Sequence, residues 1–427
     1  MSITVIGLGK IGLPLAVYFT QESDVIGLDS NHKVVEQVNL GQEPFPGESN
    51  LQNLLETAIS SKKLFATQDQ KHAISNANVI LICVPLITDK NNMPDFNNID
   101  LVVRAIGKHI KKGTLVSFET TLPVGTTRNR FTKIIEQASG FNVGQDFFVV
   151  FSPERVFTGR IFEDLSKYPK LVGGVTSSCT IKGVDFYKSV LKFPSSSELN
   201  SDLGVIALEN CETAEFTKIA ETTYRDVNIG LANEFSIYAK QHSIDFYEVI
   251  KAANSQPYSQ IHTPGISVGG HCIPVYPHFY LSDFSNSTIV SSARILNKSM
   301  PRYALSQIKQ SFPSLRKMTI GILGLTYRPG VKETAFSGAL DLLELLKTES
   351  SLVYGYDPLL DENEIIGLGF NYKKEMSNLD GIILHTEHPE FSDINFHEIS
   401  TLKFVYDGRN LYPKLKKTKH SFIYLNL

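Results

Sequence analysis

Cys272 lies in Pro264-Gly265-Ile266-Ser267-Val268-Gly269-Gly270-His271-Cys272-Ile273-Pro274. Paired glycines before a thiol let backbone come close to a ligand, and the nearby proline stiffens the turn. A thiol there is either a nucleophile or an ordinary turn cysteine, and local context leaves both open. Lys218, Thr222 and Arg225 give a second clue, since i, i+4 and i+7 share one helix face. Spacing alone favours a solvated face. The third set is Gly7-Leu8-Gly9-Lys10-Ile11-Gly12, directly after the apolar run Ile3-Thr4-Val5-Ile6. Its glycines permit a tight turn and close approach of a pyrophosphate, and a following helix offers NH groups and a positive dipole end. Asp29 closes the next apolar run, about 20 residues on, where a carboxylate accepts from a ribose 2′-OH. The same carboxylate repels a 2′-phosphate, so the expected cofactor is NAD and not NADP.

These residues need a frame. Residues 3–6, 25–28, 79–83, 115–118 and 147–150 are nearly continuous in apolar side chains, as strands buried on both faces are. The gaps between them leave room for helices, which predicts a doubly wound parallel sheet. Pro14 is tolerable in the first turn of the helix over 13–19. Ser195-Ser196-Ser197 marks a domain break. Beyond it, Phe216, Ala220, Tyr224, Val227, Leu231, Phe235 and Tyr238 recur at helical steps, with Gly230 inside. They predict one helix of about 35 residues, roughly 50 Å long. Its apolar stripe is either the core-facing side or part of a dimer interface. Residues 318–323, 353–356, 382–384 and 404–406 then repeat the α/β rhythm. The expected fold class is α/β, with two Rossmann-like doubly wound domains joined by a long central helix. The expected boundaries are 1–200, 201–300 and 301–427.

Composition bounds the function. Forty-one Lys+Arg against 44 Asp+Glu argue against a nucleic-acid or anionic-membrane binder. The four cysteines (Cys83, Cys179, Cys211, Cys272) stand too far apart for a disulfide framework or a zinc knuckle, so no metal is expected. Cys83 reads as a buried structural thiol, while Cys179 and Cys211 have no distinctive surroundings. No basic leader precedes the first strand, and no apolar run is long enough to span a bilayer. The expected location is the cytoplasm.

The glycine fingerprint, Phe118-Glu119-Thr120-Thr121-Leu122-Pro123-Val124-Gly125-Thr126-Thr127, Ser152-Pro153-Glu154-Arg155-Val156, Ala214-Glu215-Phe216-Thr217-Lys218, and Gly269-Gly270-His271-Cys272-Ile273-Pro274 occur in that order. Together they resemble the UDP-glucose/GDP-mannose dehydrogenase family of nucleotide-sugar 6-dehydrogenases. The resemblance covers nearly the whole chain, including Asp407-Gly408-Arg409-Asn410. The cysteine and Ser-Pro-Glu-Arg motifs look most like the branch acting on UDP-N-acetylhexosamines.

The resemblance implies oxidation of a sugar C6 alcohol to a carboxylate with two NAD per turnover, feeding polysaccharide synthesis. On that pattern Cys272 is the nucleophile and Lys218 stabilises the developing oxyanion. Glu154 and Thr121 position water near the reacting centre. Gly7, Gly9, Ile11, Gly12, Asp29, Val84, Pro85 and Thr121 hold NAD. Glu154, Arg155, Lys218, Arg225, Gly269, Gly270 and Arg328 bind the UDP-sugar, with Arg328 standing where the family usually has Lys. The family is usually at least dimeric through its central helix, so a homodimer is expected.

Three positions depart from the pattern: Thr222 for the usual Asn, Tyr276 for the usual Asp, and Ala335 for the usual Arg. A phenol titrates near 10 and is no carboxylate base at neutral pH. The departures keep three alternatives open: a UDP-glucose 6-dehydrogenase, a single-step nucleotide-sugar dehydrogenase, and a non-catalytic nucleotide-sugar binder.

Overall fold

The computed structural model describes residues 1–194, 204–349, 351–417 and 419–427. The expected break at residues 195–197 lies outside the described residues. The chain forms two compact units: residues 1–221 with 278–283, and residues 222–277 with 284–427.

The first unit is built on an eight-stranded sheet. In chain order its strands are β1 Ser2–Ile6, β2 Asp24–Leu28, β3 Leu64–Thr67 and β4 Val79–Ile82. A small hairpin follows, β5 Ile87–Thr88 against β6 Pro94–Asp95. The sheet continues with β7 Leu115–Phe118, β8 Phe148–Phe151, β9 Lys170–Gly174 and β10 Val205–Leu208. The spatial order is β10-β9-β8-β7-β4-β1-β2-β3. Every residue of β4 and β7 is buried, which is why those strands read as nearly unbroken apolar runs, with Ser117 the one polar residue. Thr4 is equally buried, and its hydroxyl donates to the Ala73 carbonyl at 2.6 Å.

The sheet is not wholly parallel, because β8 and β9 run antiparallel. β9 escaped the sequence reading for a physical reason. It opens on a lysine and ends on Gly173-Gly174, which read as a solvated turn, yet all five residues are buried. A Cβ on Gly173 would run into the Asn210 carbonyl, so glycine lets that segment pass close by.

The second unit carries a parallel sheet of six strands: β11 Thr319–Leu323, β12 Leu352–Tyr356, β13 Asn371–Tyr372, β14 Gly381–Leu384, β15 Phe404–Asp407 and β16 Ile423–Asn426. Their order is β13-β12-β11-β14-β15-β16. On one face helix Gly338–Thr348 and the end of helix Thr288–Ser311 bury Leu342, Leu346, Ala304 and Ile308 against Ile320 and Ile322.

The two units use one turn design. Gly7 N–H donates to the Leu28 carbonyl at 2.8 Å, and Gly324 N–H donates to the Tyr356 carbonyl at 2.9 Å. Both glycines have positive φ, 90° and 84°. Leu8 N–H donates to Asp29 Oδ2 at 2.8 Å, as Leu325 N–H does to Asp357 Oδ2 at 2.7 Å. In each unit a carboxylate at the end of the second strand closes the first strand-to-helix turn.

The chain passes from one unit to the other within the central helix Cys211–Gln241, 31 residues long. Its amphipathicity is inverted. The apolar stripe is exposed: Phe216 is 49%, Tyr224 63%, Leu231 43%, Phe235 40% and Tyr238 60% accessible. The buried side is small and polar, with Ala214, Glu215, Thr222, Asp226, Asn233 and Ser236. Gly230 also belongs to this side, where a Cβ would stand 3.1 Å from the Ala293 Cβ of helix Thr288–Ser311. Several of the buried polar groups are paired: Asn233 Nδ2 donates to Asn297 Oδ1 at 2.8 Å, and Arg294 pairs with Asp226 at 3.1 Å. The stripe is therefore not the core-facing side. The solvated-face expectation for Lys218 and Thr222 is also overturned, since Thr222 is buried and Lys218 half-buried, whereas Arg225 is exposed. Spacing identified the faces, but tertiary packing inverted which one met water.

Candidate active site

In the first unit the glycine turn follows β1 and leads into helix Gly12–Phe19. A Cβ on Gly12 would run into the Gly7 carbonyl, so that glycine lets the turn close. Gly9 is different: nothing lies within 4 Å of where its Cβ would stand. No contact inside the chain demands glycine there, and the open space suits a pyrophosphate. Ile11 is the residue before the helix and is half-buried. Asp29 accepts from Leu8 N–H at Oδ2 and from Asn31 N–H at Oδ1, each at 2.8 Å. It is only half-buried, so its remaining lone pairs can meet a ribose hydroxyl. The turn thus fits a dinucleotide. Val84 and Pro85 follow β4, and the Val84 carbonyl accepts from the Thr120 hydroxyl at 2.6 Å.

Thr121 is buried in the loop after β7. Glu215 of the central helix fixes that loop, accepting from Gly125 N–H at 2.5 Å, Thr127 N–H at 2.8 Å and the Thr127 hydroxyl at 2.6 Å. Burial pushes the Glu215 carboxyl up to about 7 against the pull of these donors.

Glu154 and Arg155 lie in the loop after β8. Lys218 Nζ donates to the Glu154 carbonyl at 2.7 Å, and Arg155 pairs with Glu221 at 2.5 Å. Three of the expected site residues, Thr121, Glu154 and Arg155, are thus carried by loops that hold directly to the stretch of the central helix that bears the fourth, Lys218. Sequence reasoning passed over Lys170, which pairs with both Glu119 and Glu154 in the interior. It also passed over Glu215, although that residue lies inside the motif carrying Lys218.

Cys272 is exposed, on a loop four residues before helix Tyr276–Asp283. The Cys272 carbonyl accepts from Tyr276 N–H at 2.9 Å. The loop is held at several points. Gly265 N–H donates to Asn233 Oδ1 at 2.9 Å, and Gly270 N–H to the Ala335 carbonyl at 2.8 Å. His271 Nε2 lies 3.1 Å from Glu333 Oε2. Ser267 Oγ accepts from Gly338 N–H at 3.1 Å and lies 3.2 Å from His385 Nε2. His385 Nδ1 lies 2.9 Å from the Gly324 carbonyl, and burial pulls this imidazole down to about 3, so it is neutral. With the proton on Nδ1, Nε2 accepts from Ser267. The bond from Gly270 uses the Ala335 backbone carbonyl, which any residue would supply, and nothing in the structure explains the alanine there.

The paired glycines have a packing reason. A Cβ on Gly269 would stand 2.5 Å from the Tyr327 Cβ, and one on Gly270 would stand 3.0 Å from the Tyr327 ring. Gly270 also has φ +90°. The Arg328 guanidinium lies 5.8 Å from the Tyr327 ring centre. Burial pushes the Tyr327 phenol up, and Arg328 opposes that. Cys272, Gly269, Gly270 and Arg328 are therefore gathered around Tyr327, which the sequence reading had not singled out. Arg225 is exposed on the central helix and holds down the protonation of His262, whose burial acts the same way.

The other thiols are ill-suited to attack. Burial raises those of Cys83 and Cys211, with Glu119 adding at Cys83 and Glu215 at Cys211. Cys179 is buried and lies 3.3 Å from the Val149 N–H that donates to it.

Residues 1–191 match the NAD binding domain of the UDP-glucose/GDP-mannose dehydrogenase family, residues 212–299 its central domain and residues 321–414 its UDP binding domain. The UDP-N-acetyl-D-mannosamine dehydrogenase of Pyrococcus horikoshii is 35% identical, over 99% of this chain and 98% of that protein. A solved structure of UDP-D-ManNAc dehydrogenase from the same organism superposes with a TM-score of 0.88 at 33% identity, covering 100% of this chain and 99% of that one. A UDP-glucose dehydrogenase from Pyrobaculum islandicum superposes with a TM-score of 0.86 at 25% identity, over 99% and 96%. On the sequence matched, its extent and the order of its motifs, the chain is an NAD-dependent oxidoreductase that belongs to the UDP-glucose/GDP-mannose dehydrogenase family.

Proposed function

We propose that this enzyme oxidises the C6 alcohol of a UDP-N-acetylhexosamine to the uronic acid, with N-acetylmannosamine the first sugar to test. The observation that carries the reading is an exposed Cys272 thiol on a loop fixed by Asn233, His385, Glu333 and Ala335. A nucleophile needs access and a rigid mount, and this is the one cysteine of the four with both. The choice of sugar rests on the relatives whose names carry N-acetyl-D-mannosamine.

NAD, when bound, takes up a hydride from the sugar carbon. Gly7, Gly9, Ile11, Gly12, Asp29, Val84, Pro85 and Thr121 would hold it. Loss of the first hydride and the hydroxyl proton leaves an aldehyde. Cys272 sulfur then adds to C6, and Lys218 stabilises the alkoxide that forms. Loss of a second hydride from that thiohemiacetal gives a thioester on Cys272. Water, placed by Glu154 and Thr121, hydrolyses it to the carboxylate and frees the thiol. Arg155, Arg225, Gly269, Gly270 and Arg328 would bind the UDP-sugar.

We assign three parts by role: residues 1–200 for the cofactor, 201–300 for the connector and cysteine loop, and 301–427 for the nucleotide. The exposed apolar stripe supports a homodimer through the central helix. A reactive free thiol supports a reducing, cytoplasmic location. Among the described residues, no helix is long and apolar enough to cross a membrane.

Mass spectrometry of products from UDP-ManNAc, UDP-GlcNAc, UDP-GalNAc, UDP-glucose and GDP-mannose, with NADH counted, tests this reading. Two NADH per carboxylate from an N-acetylhexosamine is the expected result, and Cys272→Ser should cut carboxylate formation by roughly 10³-fold or more. Carboxylate from UDP-glucose alone would overturn the choice of sugar. Tyr276, at the position of the usual carboxylate, favours a second reading in which only one hydride is removed. That reading expects one NADH per sugar, an aldehyde product, and a Cys272→Ser variant that keeps full activity. Saturable binding with no NADH from any sugar would instead mark a non-catalytic binder.

A further inference from the structure

We infer that Lys170 is a positioning residue for this reaction, holding the Glu154 side chain from within the sheet while Lys218 holds the Glu154 main chain. The inference rests on the proposed role of Glu154. Lys170 opens β9 and its side chain is 5% accessible. Its ammonium donates to Glu119 Oε2 at 2.6 Å, to the Ser152 carbonyl at 3.2 Å and to the Glu154 carboxylate. Three donors meet three acceptors, so the ammonium has one orientation.

The two carboxylates are not equivalent. Glu119 is fully enclosed and also accepts from the Ser117 hydroxyl at 2.8 Å and from the Tyr187 hydroxyl. Its oxygens are used inside the protein. The Glu154 side chain is 10% accessible and lines a recess with Arg155, Tyr168 and Lys170. It is the member of the cluster that reaches the surface. The carbonyl of the same residue takes the bond from Lys218. Glu154 is therefore clamped at side chain and main chain by two lysines on different elements, β9 and the central helix.

A buried lysine between two glutamates is weak evidence for stability, because an apolar set of similar volume folds as well or better. The cluster makes sense when one of its members must be held in place. Lys170 orients the Glu154 carboxylate and keeps it from swinging, which fixes the loop against which Lys218 rests. The charged and titratable groups facing Glu119 are Lys170 and Glu154, with Tyr187 bonded to it and Cys83 nearby. Two carboxylates around one ammonium leave one negative charge in excess. Burial and Glu154 push the Glu119 carboxyl up to about 7 despite Lys170.

The test compares K170M/E119Q, K170Q, K170R, E119Q and E154Q in the full chain, by melting temperature, by kcat and KM for NADH formation from the UDP-sugar, and by pH profile. K170M/E119Q removes both charges of the enclosed pair, so the carboxylate left without its partner is Glu154, the one that reaches the surface; K170Q stands beside it should that variant not fold. The expected result is a near-native melting temperature and a KM within about threefold, with kcat lower by roughly 10- to 100-fold. K170R, which keeps the charge, should retain kcat within about tenfold. The wild-type profile is expected to have an inflection near pH 7, and E119Q should erase it. Folded K170M/E119Q or K170Q with native kcat, beside an impaired E154Q, overturns this inference alone. Native kcat in E154Q overturns the role of Glu154 itself.

Discussion

Glu215 and Glu119 both hold their protons more tightly in the folded chain than in water, each up to about 7 from an ordinary 4.5, with burial the largest cause. A raised folded value means that the folded form binds the proton more tightly than the unfolded form, so protonation favours folding and stability falls with pH between the two values. That contribution is fully present below about 4.5 and is lost as pH rises through about 7. Melting temperature should therefore fall between pH 5 and pH 8, with roughly 1–3 kcal/mol lost per group. Glu215→Gln should flatten the slope while lowering stability at every pH, because its amide would face the Gly125 N–H. A melting temperature that is flat or rising across that range would contradict this. Asp357 works in the opposite direction, drawn down to about 2 by His388 and backbone donors against the effect of its own burial, so its contribution fades only in strong acid. None of these values was readable in the sequence. Glu215 lay inside a motif and could be named, but its acceptor work depends on partners 88 and 90 residues away. Lys170 could not be picked out, because a lysine before Leu-Val-Gly-Gly looks like the solvated end of a turn.

Strands were the easiest elements to read, because burial on both faces leaves an unbroken apolar run. β1, β4, β7, β11 and β14 are of that kind. β3 alternates between buried and exposed over only four residues, and β16 is a partly exposed edge, so neither left the same trace. The central helix was found from its period, but its orientation could not be. Its buried side is chosen by pairings such as Asn233 with Asn297 and Arg294 with Asp226, which period alone does not encode. The cysteine loop was recognisable as a motif, yet the reason for its glycines was missed. They make room for Tyr327 as well as for any ligand. Gly270→Ala carries both the positive φ and the clash, at roughly 1–3 kcal/mol. It should lower the melting temperature by several degrees and reduce kcat at least tenfold, through displacement of Cys272. The rate of Cys272 alkylation by iodoacetamide, followed by mass spectrometry, gives an independent reading of that displacement. An unchanged rate together with an unchanged kcat would show that the loop tolerates the methyl group.

The arrangement of two α/β units with a helix between them followed from the two apolar rhythms and the long proline-free segment. The proposed dimer rests on the exposed stripe. Tyr224, Leu231 and Tyr238 recur every seven residues, which lines them up along one side of the helix. Light scattering should give the mass of two chains, and Leu231→Asp with Tyr238→Asp should give that of one. A wild-type monomer would remove the dimer from the account.

The shared turn has a further meaning. Asp357 is fully enclosed and satisfied by Leu325 N–H, Thr326 N–H, the Thr326 hydroxyl and Leu359 N–H, with His388 at 3.2 Å. Asp29 keeps one face to solvent, beside the unfilled space at Gly9. One copy of the design is open and the other is sealed. A reaction that removes two hydrides from one sugar must then use the open turn twice, with spent cofactor exchanged for fresh between the two events. A half-oxidised sugar would be free to escape during that pause unless something tethered it. On the proposed mechanism, the sulfur–carbon bond at Cys272 would be such a tether. On this view the thiol is as much a mooring line as a reagent, and the sealed turn is what makes the mooring necessary.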